Sequence, residues 1–308
     1  MKNRLITLFT CIVALCASAS FAQAQRSSQS SHDFSAFDAL EADYDFNIRV
    51  EQSRDYSISM NVENDIKDYI QAYVKNHTLY LKLDEKSMPS DIKKKYRGRR
   101  ASSPTLDATV YMAEPLASVK LSGGATLAVA DDIEGRSFVL DLAENARVTK
   151  LLVDADNVTV TMAGKSEADF IVYADNFKLN SAGNSKVTLE QDTQRMEIVA
   201  GGSTQIDIEG ETLDVQVTSS GSSKIVLRGK TNGLDVTGSG SSSVDALDLK
   251  TSECSVTLSN SSKVYEAATE KVHVDLTGNS TLVFDGSPVF DIISVKSSTI
   301  QRYSNSRR

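Results

Sequence analysis

Apolar and polar residues alternate along most of this chain, and the alternation restarts at a nearly fixed interval. The unit is clearest in LNSAGNSKVTL, Leu179 to Leu189: an apolar strand, a small polar corner and a second apolar strand. The corner reads G-x-S. It recurs at Gly164-Lys165-Ser166, Gly183-Asn184-Ser185, Gly202-Ser203-Thr204, Gly221-Ser222-Ser223, Gly240-Ser241-Ser242, Asn260-Ser261-Ser262 and Gly278-Asn279-Ser280. Weaker copies stand at Gly123-Gly124-Ala125 and Glu144-Asn145-Ala146. A period near 19 residues is the signature of a repeat architecture.

The columns of this repeat specify its fold. Four residues before the corner, Leu179, Ile198, Val217, Val236, Val256 and Val274 form an unbroken aliphatic series. Six before it stand Phe177, Met196, Val215, Leu234, Cys254 and Val272, and four after it Val187, Ile206, Ile225, Val244, Val264 and Leu282. Period-two alternation gives strands with one face inward. Identical columns in every repeat require parallel stacking of equivalent strands. The expected fold is all-β: a single-stranded parallel β-helix, right-handed by the crossover rule, of about nine to ten coils of ~19 residues. The corner glycine supplies positive φ, and the neighbouring Ser or Asn can hydrogen-bond the turn. These serines need no catalytic explanation, because every coil requires them. Two residues before the corner the middle coils carry Ser181, Ala200, Ser219 and Gly238. That column predicts a narrowed core, or a side chain from elsewhere filling the space.

The charged segments between coils, such as Gln191 to Arg195, Arg228 to Gly233 and Glu266 to Lys271, are expected to line one edge as variable recognition loops. One outward column is read as Lys178, Glu197, Asp214, Asp235 and His273, with Asp214 and Asp235 on successive coils. Lys186, Lys224 and Lys263 fall on alternate coils, separated by Gln205 and Ser243.

Outside the repeats the chain divides as follows. Residues 1–24 read as an export signal: Lys2 and Arg4, an apolar run to Ala17, then Ala22-Gln23-Ala24 as a small-x-small cleavage site. The run is shorter than the ~20 residues a membrane span needs. Residues 25–33 are polar and read as a disordered lead-in. Residues 34–116 hold irregularly spaced strands around Phe46 to Val50, Tyr56 to Val62, Tyr69 to Val74 and Leu79 to Leu83, and are expected to cap the open end of the solenoid. A basic insert interrupts them at 86–104, with Lys93 to Arg100 as its densest part. It reads as a solvated loop, with contact to acidic lipid headgroups or an anionic glycan as the functional alternative. The coils run over 117–300, and 301–308 form a tail.

Composition narrows the function. The 308 residues contain no Trp, 6% aromatics and a net charge of -8, which disfavours nucleic acid as a partner. Cys11 and Cys16 lie in the signal, so Cys254 is left alone and no internal disulfide is expected. His32, His77 and His273 are far apart in sequence, and no metal site, cofactor or catalytic residue is assigned. The carboxylate pairs Asp131-Asp132 and Asp245 with Asp248 are weak signals, and no outward column combining Asp with Lys or Arg is expected.

The signal, the opening strands around Phe46 to Val50, the approach Met112-Ala113-Glu114-Pro115-Leu116 and the repeated G-x-S corners together resemble the auto-transporter adhesin head domain family, the GIN domain. The resemblance covers about Phe34 to Ile300. It implies a β-helix in the cell envelope or at the cell surface and brings no catalytic residues with it. The function expected is that of an exported, non-enzymatic binding protein whose partner is a glycan or an envelope protein. A polysaccharide-active enzyme on the same scaffold and a structural spacer are the alternatives. The ligand, the oligomeric state and the role of Lys93 to Arg100 are left open by the sequence.

Overall fold

The computed structural model describes residues 27–96 and 103–304. Residues 1–26, which include the segment read as an export signal, residues 97–102 of the basic insert and the last four residues lie outside the described residues. The architecture is a parallel β-solenoid of about ten turns with ~19 residues per turn.

Seven strands build the head: β1 (Ser27–Asp33), β2 (Ala39–Ala42), β3 (Asn47–Gln52), β4 (Ser57–Glu63), β5 (Ile70–Lys75), β6 (Thr78–Leu83) and β7 (Leu106–Met112), with the short helix α1 (Ser90–Tyr96) between the last two. The repeats supply β8 (Ser118–Leu121), β9 (Thr126–Val129), β10 (Ile133–Leu142), β11 (Arg147–Met162), β12 (Glu167–Ser181), β13 (Lys186–Ala200), β14 (Gln205–Ser219), β15 (Lys224–Gly238), β16 (Ser243–Leu258), β17 (Lys263–Leu276), β18 (Thr281–Phe284), β19 (Val289–Val295) and β20 (Thr299–Arg302).

In the middle of the rod each rung is one long strand and one tight corner. Lys186 pairs with Gln205 and Val187 with Ile206, and Gln205 in turn pairs with Lys224, all in parallel. Inward residues of β14 are Ile206, Ile208 and Thr212, then Val215, Val217 and Ser219. The inward parity switches at Leu213 and Asp214, two successive outward residues, and there the strand bends. Each rung therefore has a first face after the glycine corner and a second face before the next one. Val217, Val236 and Val256 are fully buried, as the column pattern requires.

The segments read as inter-coil loops are instead strand: Gln191 to Arg195 pairs in register on both sides, whereas Arg228 to Gly233 and Glu266 to Lys271 carry register shifts against β16. Thr193, Thr212, Thr231 and Thr251 point inward at the bend and are buried. Their hydroxyls bond one another or nearby carbonyls: Thr193 Oγ1 to Thr212 Oγ1 at 3.1 Å, and Thr231 Oγ1 to the Leu213 and Gly233 carbonyls at 3.0 Å. A buried hydroxyl satisfied in this way turns a strand without opening its backbone to solvent.

The corners follow the same logic. Gly183, Gly202, Gly221 and Gly240 have φ near +70°, and a β-carbon on Gly202 would stand 2.5 Å from the Gly183 carbonyl oxygen. Tyr44, Glu144 and Asn260 adopt the same left-handed conformation in the corresponding corners. The third corner residue points into the core rather than outward. Ser166, Ser185, Thr204, Ser223, Ser242, Ser262 and Ser280 are all buried, continuing a column begun by Ala125 and Ala146. Over Gly238, the small residue of the narrowed column, a β-carbon would meet Leu258 Cδ2 at 2.7 Å, so the leucine of the next rung fills that space.

The head is more than a lid. β2 and β3 form a rung of their own, parallel to β8 and β9 through Leu40–Val119 and Ile48–Leu127. On their other side lie β6 and β7, also parallel. Only then do antiparallel strands close the end: β5 on β6, β4 on β7, and β1 on β4. Residues 27–33 are thus a strand, where the polar composition reads as an irregular lead-in. Backbone pairing with β4 supplies the hydrogen bonds that side chains of this type do not.

Candidate binding groove

The second face carries two neighbouring outward columns. One runs Asn157, Asn176, Arg195, Asp214, Gly233, Glu253 and Lys271. The other runs Thr159, Lys178, Glu197, Gln216, Asp235, Ser255, His273 and Asp291. Asp214 therefore pairs with Gly233, not with Asp235, and belongs to the first column. The sequence reading placed it two residues too late, where Gln216 stands. Both columns mix carboxylates with Lys or Arg, contrary to the expectation that none would.

These columns form a groove of about 710 Å³ across the rungs from β11 to β17. Gly233 contributes no side chain, and the Asp214 carboxylate stands over the gap. Part of the lining is tied down. Asn176 Nδ2 donates to Asn157 Oδ1 at 3.1 Å, and Lys178 Nζ reaches both Glu197 oxygens at 2.8 and 3.0 Å. At the tail end His273 Nδ1 lies 3.0 Å from Asp291 Oδ2, with Lys271 Nζ at 3.7 Å. Exposed pairs of this kind contribute little stability, roughly 0–1 kcal/mol each. Their effect is to hold donors and acceptors in fixed rows at the ~4.8 Å rung spacing.

The other sequence candidates sort as follows. Lys186, Gln205, Lys224, Ser243 and Lys263 do form one outward column, on the first face. Asp131 Oδ2 accepts the Gln52 N–H at 2.9 Å, and Asp245 Oδ1 accepts the Leu247 N–H at 3.3 Å, so both carboxylates serve the backbone. Cys254 is buried and free, and its thiol is pushed well above the usual range, first by burial and then by Glu266 and Asp235. Among the described residues no group of His, Cys, Asp and Glu could hold a metal ion.

The described half of the basic insert is anchored. Tyr96 Oη donates to Asp65 Oδ1 and Lys95 Nζ to Asp65 Oδ2, both at 2.6 Å. Burial works against the Asp65 charge, but these two donors outweigh it and hold its carboxyl below the ordinary range. Burial and the Asp65 hydrogen bond push the Tyr96 phenol up to about 12. Lys94 is exposed on the outer side of α1.

The family model described as "Putative auto-transporter adhesin, head GIN domain" matches the chain over residues 36–191 and again over 170–288. The chain belongs to the GIN-domain family. The two matches overlap, as a run of similar rungs allows. Among solved structures, a "putative lipid binding protein" from Parabacteroides distasonis is 14% identical, with 91% of this GIN-domain chain and 97% of that chain covered at a TM-score of 0.46. A "putative adhesin" from the same organism is 15% identical, covering 90% and 97% at a TM-score of 0.48. A "putative adhesin" from Parabacteroides merdae is 13% identical, covering 91% and 97% at 0.41. No curated protein matches the GIN-domain chain. Among its described residues no helix is long and apolar enough to cross a membrane.

Proposed function

We propose that this GIN-domain protein is an exported, non-catalytic binding protein of the adhesin type, and that its ligand lies along the second-face groove, across the rungs. The observation that carries this reading is the groove of about 710 Å³ bounded by fixed polar rows. An extended polymer with regularly repeated hydrogen-bonding groups, such as an envelope glycan, matches rows of donors and acceptors at the rung spacing. The family, named for adhesin heads, supports the same class of function. The export reading rests on the charged start and apolar run of residues 1–24.

The test is a glycan array probed with the full chain and with an Arg195→Ala/Asp214→Ala variant, together with fractionation of the producing cells. Binding that falls at least about tenfold in the variant, with an unchanged melting temperature, supports the groove. Release of oligosaccharides from a bound glycan would replace the reading with an enzymatic one. Silence on the array with tight envelope association would replace it with a spacer.

A further inference from the structure

The two ends of the rod differ. At the head, the antiparallel strands β4 and β5 close the parallel stack, and β1, with sequence SSQSSHD, presents a polar outer edge. At the other end the stack stops in mid-pattern. β19 pairs only with β17 and β20 only with β18, and no described element lies over either. The inward columns continue to this last rung and are left uncovered. Val274 and Leu276 are fully buried, whereas their register partners Ile292 and Val295 are 55% and 39% exposed. Val289 and Ile293 are 68% and 71% exposed beside them. An apolar patch bordered by unpaired strand edges is a template for another chain.

We propose that the tail rung is an interface with a second copy of this chain, joined tail to tail about a two-fold axis perpendicular to the rod. The covering partner must present the same flattened cross-section of two strand edges around an apolar centre, and a second tail does so. The head does not: its outermost strands, β1 and β5, each pair antiparallel with the strand beneath, and β1 is polar along its length. A two-fold axis sets β19 antiparallel to β19 of the second copy. The register centred between Ile293 and Ser294 places Ile292 opposite Val295, both in inward columns. The same register places Asp291 opposite Lys296, both outward. Symmetry repeats each contact, so the interface holds two apolar pairs on β19 and two opposite-charge pairs between Asp291 and Lys296, the residue that follows the strand. The same axis brings β20 of the two copies side by side, with Ile300, the register partner of the buried Leu282, on the inner side of each. Such an isologous contact closes at two chains and does not propagate into filaments.

The proposal shares Asp291 with the end of the groove's second column and otherwise stands apart from the groove, at the end of the rungs and not on their second face. Sedimentation equilibrium of the full chain tests it. The expected result is twice the mass of one chain at micromolar concentration. Ile292→Lys is expected to give a monomer. Lys296→Glu, which sets like charges opposite each other twice, is expected to weaken the dimer about tenfold, and Asp291→Lys/Lys296→Glu to recover part of that loss. Circular dichroism and the melting temperature of each variant exclude misfolding, and Lys296 is an exposed position whose substitution leaves the core intact. A chain that stays monomeric up to about 100 µM, a dimer indifferent to both Ile292→Lys and Lys296→Glu, or open-ended polymers would each overturn the proposal.

Discussion

Glu266 lies directly over Ala246 in the parallel ladder between β16 and β17, and both side chains point into the core. The same column holds Phe170, Leu189, Ile208 and Leu227 in earlier rungs, so a carboxyl occupies a place built for an aliphatic group. One carboxyl oxygen, Oε2, accepts the Ala268 N–H at 2.6 Å, and the other, Oε1, has no partner. Burial pushes the Glu266 pKa up to about 7, with Asp285 adding to the shift.

The sign of the resulting pH dependence follows from proton counting. Between pH 4.5 and about 7 the folded chain keeps a proton on Glu266 that the unfolded chain has lost. Stability from this residue is therefore highest below pH 4.5, falls as pH rises to about 7, and is flat above. The shift corresponds to about 3 kcal/mol. Glu266→Leu is expected to raise stability at pH 8 by that order and by much less at pH 4, as read by urea denaturation at the two values. Equal effects at both pH values would refute the assignment.

The corner glycines and their non-glycine equivalents give opposite expectations. Gly202→Ala must adopt positive φ and meet the Gly183 carbonyl, and a loss of roughly 2 kcal/mol or more is expected. Asn260→Gly relieves a left-handed asparagine at φ +59° and is expected to be neutral or stabilising by up to about 1 kcal/mol. Thermal melts of the two variants check the contrast.

Buried corner hydroxyls divide by whether they find a partner. Ser223 Oγ, Thr204 Oγ1 and Ser166 Oγ have none, whereas Ser262 Oγ donates to the Ser259 carbonyl at 2.8 Å and the Gly238 carbonyl at 3.2 Å. Ala125 and Ala146 already fill the same column. Ser223→Ala is expected to be neutral or stabilising and Ser262→Ala to cost about 1 kcal/mol. Chemical denaturation of the pair decides it: equal losses would mean that the hydroxyl matters everywhere.

Gly238 and Leu258 are coupled by packing. Gly238→Ala drives a methyl group into Leu258 Cδ2 and is expected to cost about 1–3 kcal/mol. On a Leu258→Ala background the same substitution is expected to cost little, so a double-mutant cycle should return a coupling of at least about 1 kcal/mol.

Much of the fold was legible because each rung repeats the same demand. The columns of Val217, Val236 and Val256 leave only one parity for every strand. The bend was not legible, because it is made by threonines in charged surroundings, and Thr193 and Thr231 look like loop residues until their buried hydrogen-bond partners are known. Glu266 was hidden for the same reason: a charged residue in a charged segment gives no hint that its rung turns it inward. The groove columns were misassigned at Asp214 because Asp214 and Gln216 both face outward, so alternation alone does not tell their two columns apart. The order of strands in the head depends on pairings tens of residues apart, which no local pattern records.

That order bears on how the rod is made. β2 and β3 acquire their outer neighbours, β6 and β7, only about forty and about sixty residues further along the chain, so the first layer must assemble as a block through distant pairings, the slow kind of step. From β10 onward each new layer needs only the one just laid down, some nineteen residues earlier. The amino-terminal block thus behaves as a seed crystal and the remainder as growth upon it, and a chain shortened from its far end keeps the surface on which the next layer would form.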